Sequence, residues 1–180
     1  MAIKLDVNRW PHISLNEVAC RCKYADCKYK TVEQVLAAID TDILDFYEEL
    51  RATLGNTPLH INSGIRCDRH NKDVGGVKHS PHKVWTYSQV AKQSAISKFF
   101  RLEPSIAAHH NKISFALDIA IRGHFIFPEQ MRDFVRYEMD EWFIRIGWMK
   151  YNSFCHFDYA FNLADKNKKQ EQRWKSGVEW

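Results

Sequence analysis

Apolar residues recur at the spacing of an α-helix from Val32 to Leu54. The run follows Thr31-Val-Glu-Gln34, a capping box in which the Thr hydroxyl caps the helix start and the Gln side chain bonds back to the chain. Gly55 stands where the C-terminal cap of such a helix belongs. We therefore predict one long amphipathic helix over residues 32–54. Ser14-Leu-Asn-Glu17 is a second capping box and predicts an earlier, separate helix start.

Two later segments alternate between residue types, as half-buried strands do. In the first, residues 115–121, Phe, Leu and Ile occupy one face and Asp118 lies on the other face between two alanines. In the second, residues 153–159, His156 and Asp158 share a face with Phe154. Each strand therefore presents its ionisable side chains on one face, which in the second strand also carries Phe154.

The remaining pattern completes one small domain of 180 residues. A short strand is predicted at residues 59–62, a further strand around 144–148, and a helix opened by Pro128. The polar stretch from residue 63 to His82 contains Gly75-Gly76 and predicts a loop. Residues 165–180 form a charged tail.

Composition excludes several classes of protein. The chain is 45% hydrophobic and 27% charged, which excludes a disordered or collagen-like chain. Its 26 basic and 22 acidic residues leave a net charge of +4, which suits an anionic partner without demanding nucleic acid. The sequence lacks both a membrane-spanning apolar run and a signal peptide, so we expect synthesis in the cytoplasm. Oligomeric state has no signature in the sequence.

Three residues are metal-ligand types in places that packing does not explain: His82, Asp118 and His156. Two imidazoles and one carboxylate, with a fourth position left for water, are typical of a catalytic zinc site. The alternative is that His82 is a solvated loop residue, Asp118 an acid at a strand end and His156 a hydrogen-bonded core histidine. Spacing alone leaves both interpretations open.

The order of the motifs resembles the peptidase M15 family, in the branch that includes phage-associated members. The resemblance runs from about residue 12 to residue 174 through HISLNEVACRC, INSGIRC, HNKDVGGVKHSPH, FALDIA, RIGW and FCHFDYA. It implies an α+β fold shared with the hedgehog signalling domain, in which a small antiparallel sheet is packed by helices. It also implies a zinc D-Ala-D-Ala carboxypeptidase or a peptidoglycan endopeptidase.

The same resemblance assigns roles to individual residues. His82, Asp118 and His156 would be the zinc ligands. Arg66 would bind substrate and stabilise the oxyanion, for which a guanidinium is suited because it neutralises developing negative charge. Ser80 would contact the peptide, although a turn hydroxyl is nearly as good an interpretation of this residue.

The chain departs from the family pattern in two places. Residues 83–111 read as an insertion of about 29 residues after His82, which brings His109 and His110 close enough to be rival first ligands. The general base that related enzymes place shortly before the last ligand is absent. Asp158 lies on the same strand face as His156 and is the candidate either to activate water or to brace the imidazole of His156.

The five cysteines are an odd number, so reduced thiols are expected. Cys20, Cys22 and Cys27 resemble half of a metal knot that lacks an obvious fourth ligand, and buried free thiols are the favoured interpretation. His12 is the alternative fourth ligand.

The leading functional hypothesis is a zinc metallopeptidase that cleaves peptide bonds of bacterial peptidoglycan as a phage endolysin. Such an enzyme would collect in the cytoplasm and act on the host cell wall after release. The rival hypothesis is a cell-wall-binding or virion structural protein that keeps the fold without catalysis. Sequence does not identify the scissile bond.

Overall fold

The computed structural model describes residues 2–76, 80–86, 112–114, 116–121, 128–139, 145–146 and 153–158. It has α+β architecture, as the resemblance implied. The strands are β1 (Lys4–Asp6), β2 (Trp10–Ser14), β3 (Leu59–Ser63), β4 (Trp85–Thr86), β5 (Lys112–Ile113), β6 (Ala116–Ile121), β7 (Arg145–Ile146) and β8 (Cys155–Asp158). The helices are α1 (Leu15–Val18), α2 (Val32–Leu36), α3 (Thr41–Thr53), α4 (Asp68–Asp73) and α5 (Pro128–Glu138).

A four-stranded antiparallel sheet in the order β3-β6-β8-β7 forms the centre of the fold. Its register pairs Asp118 of β6 with Ser63 of β3 on one side and with His156 of β8 on the other. Directly opposed residues of neighbouring strands lie on the same face of a sheet. The register therefore aligns three polar side chains across the sheet.

The other face of this sheet packs on the core. Leu117, Ile119 and Phe157 are fully buried there, and the ring of Phe157 lies 5.3 Å from that of Phe46 on α3. Helix α5 adds the buried side chains of Met131 and Val135, and Met139, the residue directly after the helix, is buried as well. The alternation predicted for both strands thus separates an apolar face from a polar one.

The single long helix predicted over residues 32–54 is wrong. The chain forms two helices, α2 and α3, because the backbone at residues 37–40 leaves the helical path to pair with Ser114. Asp40 N–H donates to the Ser114 carbonyl at 2.7 Å, and Ser114 N–H donates to the Ala38 carbonyl at 2.7 Å. The Asp40 carboxylate then caps α3 by accepting from the N–H of Asp42. Gly55, at φ +67°, follows the last turn of α3 as expected.

The polar stretch predicted as a loop contains helix α4. Cys67 caps its start, since its sulfur accepts a hydrogen bond from the N–H of His70. Gly75, at φ +69°, lies just beyond its end. The described residues contain no helix that is both long and apolar enough to cross a membrane.

A two-stranded ribbon joins the ends of the predicted insertion. Trp85 pairs with Ile113 and Thr86 pairs with Lys112, in antiparallel register. Residues 87–111 lie outside the described part of the chain, as does the charged tail at 165–180, so the predicted boundaries of both segments stay predictions.

Candidate metal centre

The side chains of His82, Asp118 and His156 converge on one point. His82 Nε2 lies 3.1 Å from Asp118 Oδ1 and 3.1 Å from His156 Nδ1, and the latter nitrogen lies 2.8 Å from the same carboxylate oxygen. Three potential donor atoms thus form a nearly equilateral triangle. The structure brings together these three predicted residues although the ligand pairs nearest in sequence lie 36 and 38 positions apart.

Asp118 and His156 owe their proximity to the central sheet. The two residues are directly paired across β6 and β8, so their side chains lie next to each other on the polar face of the sheet. The apolar residues on either side of each, such as Leu117 and Phe157, are buried in the core and fix which way the polar side chains face. A slip of one residue in either strand would turn its polar side chain toward the core.

His82 lies in a turn that is held in place by hydrogen bonds to its backbone. Its carbonyl accepts hydrogen bonds from Arg66 N–H at 2.8 Å and from the hydroxyl of Ser114 at 3.0 Å. Ser80 is buried, and its hydroxyl accepts from the N–H of His82 at 3.3 Å. In this structure the Ser80 hydroxyl therefore supports the turn, and contact of this residue with a substrate stays a prediction.

The second nitrogen of each imidazole is also occupied. His82 Nδ1–H donates to the Gly64 carbonyl at 2.8 Å, and His156 Nε2–H donates to Asp158 Oδ2 at 2.8 Å. These bonds leave His82 Nε2 and His156 Nδ1 as the nitrogens facing Asp118. Asp158 is completely buried, so the geometry matches the bracing role considered for it more closely than direct activation of water.

Arg66 adjoins the same centre. It donates from Nη2 to Asp118 Oδ2 at 3.0 Å and from Nε to the Ser63 hydroxyl at 2.9 Å. Asp118 thus directs one oxygen at the two imidazoles and the other at the guanidinium. The side chains of Arg66 and His156 are 18% and 12% exposed, whereas that of His82 is 3% exposed. A substrate can therefore reach the centre from the side of Arg66 and His156.

The electrostatics of the centre favour a cation at its middle. Burial opposes charge on Asp118, but the two facing imidazoles outweigh burial and hold the pKa of this carboxyl well below its usual range. Burial lowers the pKa of His82. Burial also acts against charge on His156, yet hydrogen bonds to Asp118 and Asp158 raise its pKa to about 9. Two carboxylates thus hold a positive charge between them on His156.

The three residues fit a zinc ion by donor type and by spacing. Zinc binds imidazole nitrogen and carboxylate oxygen at about 2.0–2.2 Å, which places neighbouring donors of a tetrahedron roughly 3.3–3.5 Å apart. The observed separations of 2.8–3.1 Å need only a small expansion. The hydrogen bonds that the two imidazoles donate to the Gly64 carbonyl and to Asp158 are of the kind that orient ligand imidazoles. The rival ligands His109 and His110 lie outside the described residues.

Sequence reasoning missed three groups that build this centre: the Gly64 carbonyl, the Ser63 hydroxyl and the Ser114 hydroxyl. Ser63 and Gly64 belong to the quoted INSGIRC motif, so their position beside Arg66 was a usable signal. The Ser114 hydroxyl donates to the backbone carbonyls of Pro81 and His82, and no residue pattern in the sequence indicates such bonds.

Comparison with family models gave one match, to a model described as peptidase M15, over residues 11–95. The matched range includes Arg66, Ser80 and His82 and ends before Asp118 and His156. Comparisons with curated proteins and with solved structures found no match. The match covers just under half of the chain and supports an assignment to the peptidase M15 family.

Proposed function

We propose that this peptidase is zinc-dependent, with His82, Asp118 and His156 as the ligands, and that it hydrolyses peptide bonds of bacterial peptidoglycan. The observation that carries the proposal is the triangle of two imidazole nitrogens and one carboxylate oxygen with sides of 2.8–3.1 Å. A zinc ion held there would supply a Lewis acid that lowers the pKa of water and polarises the scissile carbonyl.

The residues around the ligands have two further roles: orienting a ligand imidazole and stabilising negative charge. Zinc binding would displace the proton from His156 Nδ1, and Asp158 would keep the remaining proton on Nε2, so that Nδ1 binds the ion. Arg66 holds one oxygen of Asp118 and is the nearest cation for negative charge that develops on an attacked carbonyl. Its second partner, Ser63, limits the guanidinium to this position.

A cavity of about 180 Å³ opens beside Arg66 and supports a substrate with a carboxylate. Its described lining includes Arg21, Arg66 and His70, and no acidic residue. The peptides of bacterial cell walls carry free carboxylates, which two guanidiniums can bind through charge-assisted hydrogen bonds. The net charge of +4 is compatible with a polyanionic wall.

The biological setting is part of the same proposal. A phage endolysin made in the cytoplasm and released onto the host wall is the role that the resemblance implies. Neither oligomeric state nor the scissile bond enters the proposal.

The test combines metal analysis with mass spectrometry of digested peptidoglycan. Purified protein is expected to release wall peptides, to lose this activity on chelation, and to regain it with Zn²⁺. An Asp118→Ala variant is expected to lose zinc from this centre and all activity. Arg66→Ala is expected to keep the metal and lose rate by roughly 10²-fold or more.

Arg51→Ala is the matched control, since Arg51 lies on α3 and bonds only to Asn56 among its described side-chain partners. It should retain both zinc and rate. A folded Asp118→Ala protein with unchanged zinc content would refute the ligand assignment. Fully zinc-loaded wild-type protein that releases no peptide from several wall types would refute the enzymatic proposal and favour the binding or virion protein.

A further inference from the structure

Four cysteine sulfurs meet in a second cluster, apart from the centre described above. Cys20, Cys22, Cys27 and Cys67 place their Sγ atoms within 4.8 Å of one another. The first three are buried, with 1%, 7% and 7% of their surface exposed. Cys67 supplies the fourth thiol that the Cys20, Cys22 and Cys27 pattern lacks. His12, the alternative fourth ligand, instead bonds to Glu48 at 2.7 Å.

The segment that carries the first three thiols has no helix or strand of its own. Residues 19–31 connect α1 to α2 as irregular chain. Irregular segments of this length need something other than backbone ladders to order them. Here the ammonium of Lys30 donates to the carbonyls of Cys20 and Cys22, at 2.6 and 2.5 Å, which turns both cysteines toward one point.

Backbone amides point at the sulfurs. Cys67 N–H donates to Cys20 Sγ at 3.3 Å, and His70 N–H donates to Cys67 Sγ at 3.3 Å. Donors placed on sulfur stabilise a thiolate more than a neutral thiol, because the charged acceptor forms the stronger hydrogen bond. The cluster therefore has outer contacts of the type that support metal-bound thiolates.

We propose that Cys20, Cys22, Cys27 and Cys67 bind a structural zinc ion through four thiolates. Zinc–sulfur bonds of about 2.3 Å place the sulfurs of a tetrahedral site roughly 3.8 Å apart, which the observed limit of 4.8 Å accommodates. Four protein ligands fill the coordination shell, so this ion is structural and has no open position for substrate. Binding releases thiol protons to solvent.

The zinc would fix the segment that carries Arg66. Cys67 follows Arg66 directly, and Ile65 N–H donates to the Val18 carbonyl at 2.8 Å, so residues 65–67 lie against residues 18–20. One ion holding Cys67 to Cys20 would clamp these two segments together. The cysteine cluster would thus keep Arg66 in position beside the candidate metal centre, and it would not contact a substrate itself.

The experiment measures metal content and the Co²⁺ spectrum of the full chain purified under reducing conditions. Wild-type protein is expected to bind two zinc ions. Asp118→Ala is expected to retain one, and its Co²⁺ form should show an intense near-ultraviolet sulfur-to-cobalt charge-transfer band, because every ligand of the remaining ion is a thiolate. Cys22→Ala should lose this band and one zinc.

Cys155→Ala is the matched control, because Cys155 is a buried thiol on β8 outside the cluster. It should keep the band and both ions. If Cys22→Ala does not fold, the Co²⁺ spectrum of Asp118→Ala decides by itself.

Three results would overturn the proposal: a folded Asp118→Ala protein without metal or band, iron in place of zinc, or a disulfide among the four cysteines in untreated protein. Failure here is distinct from failure of the proposed function. One zinc in wild-type protein that disappears in Asp118→Ala would leave the peptidase centre standing. One zinc that persists in Asp118→Ala would leave only the cysteine site.

Discussion

At the scale of single residues, Gly64 is required by close packing. A Cβ atom added there would lie 2.6 Å from both the Cα and the carbonyl oxygen of Val18. Both are backbone atoms that cannot move aside cheaply. The carbonyl of Gly64 is also the acceptor that orients His82. One glycine therefore joins the packing of β3 against α1 to the geometry of the candidate ligands.

We expect Gly64→Ala to lower the free energy of unfolding by roughly 1–3 kcal/mol, as overpacking does, and to weaken zinc binding by displacing the His82 partner. Gly55→Ala is the control, since a Cβ atom added at Gly55 would meet nothing within 4 Å and the φ of +67° imposes only the local backbone cost. Denaturant unfolding and metal titration measure both effects. A Gly64→Ala protein that binds zinc as wild type does would refute the expected displacement of the Gly64 carbonyl from His82.

Asp158 allows the bracing role to be separated from general-base catalysis. Because Asp158 is buried and bonded to His156 Nε2, we expect Asp158→Asn to lower zinc affinity by roughly 10- to 100-fold, as loss of an outer partner does. A general base would behave differently: its loss would lower kcat at full zinc occupancy and leave affinity unchanged. Competition with a chelator gives the affinity, and activity at saturating zinc gives kcat.

Residue type alone singles out His82, Asp118 and His156 as candidate metal ligands, whereas Arg66 is indicated only by the family resemblance. Sequence reasoning could not reach groups whose role lies in the backbone or in distant contacts. The carbonyl of Gly64 carries no residue-type signature. Cys67 is separated from Cys20 by 47 positions, so the fourth thiol of the cluster becomes visible only in the folded chain.

At the scale of elements, the break between α2 and α3 creates a buried carboxyl. Asp40 caps α3 while only 6% of its surface is exposed, and burial raises its pKa from 3.8 to about 6. The apolar spacing of a helix runs through this position unbroken, which is why the sequence predicted one helix. The competing interaction, pairing of residues 38–40 with Ser114, joins positions too distant for a local pattern to record.

The raised pKa of Asp40 predicts a pH-dependent stability. The folded state holds the proton more tightly than the unfolded state, so this group makes stability fall as pH rises from about 4 to about 6 and leaves it low above that range. Asn caps helices as well as Asp does. We therefore expect Asp40→Asn to abolish this component and to raise stability at pH 7.5 by roughly 1–3 kcal/mol.

Asp40→Ala separates charge from capping. Asp40→Ala removes both the titrating carboxyl and the helix cap. Its free energy of unfolding, plotted against pH, should therefore run parallel to that of Asp40→Asn and about 1 kcal/mol below it. Urea unfolding across pH 4–8 provides the curves. Identical pH dependence in wild type and Asp40→Asn would refute the burial argument.

At the scale of the whole molecule, the two chain segments that flank residues 87–111 lie side by side as β4 and β5. The pairing of Thr86 with Lys112 is the pairing that a two-residue hairpin turn would close. We expect that replacing residues 87–111 with Asn-Gly preserves the fold. It should also preserve the positions of His82 and Asp118, the two candidate ligands on either side of this segment. Shortening the connection to two residues lowers the entropy cost of closing it by roughly 2 kcal/mol.

Thermal unfolding followed by circular dichroism and zinc analysis test the shortened chain. Unchanged cooperativity with retained zinc is the expected result. A shortened chain that aggregates would show that residues 87–111 contribute to the core. Retained zinc with altered cleavage of wall peptides would instead assign this segment to substrate access.

The candidate ligands His82, Asp118 and His156 lie on separate elements, and this separation makes zinc a ligand of the native state alone. An ion that binds only the folded chain adds RT ln(1 + [Zn²⁺]/Kd), about 2.7 kcal/mol when free zinc exceeds Kd a hundredfold. The lifetime of the protein in the presence of proteases would then follow the free zinc level. Chains made in a zinc-starved cell would open more often and be degraded sooner.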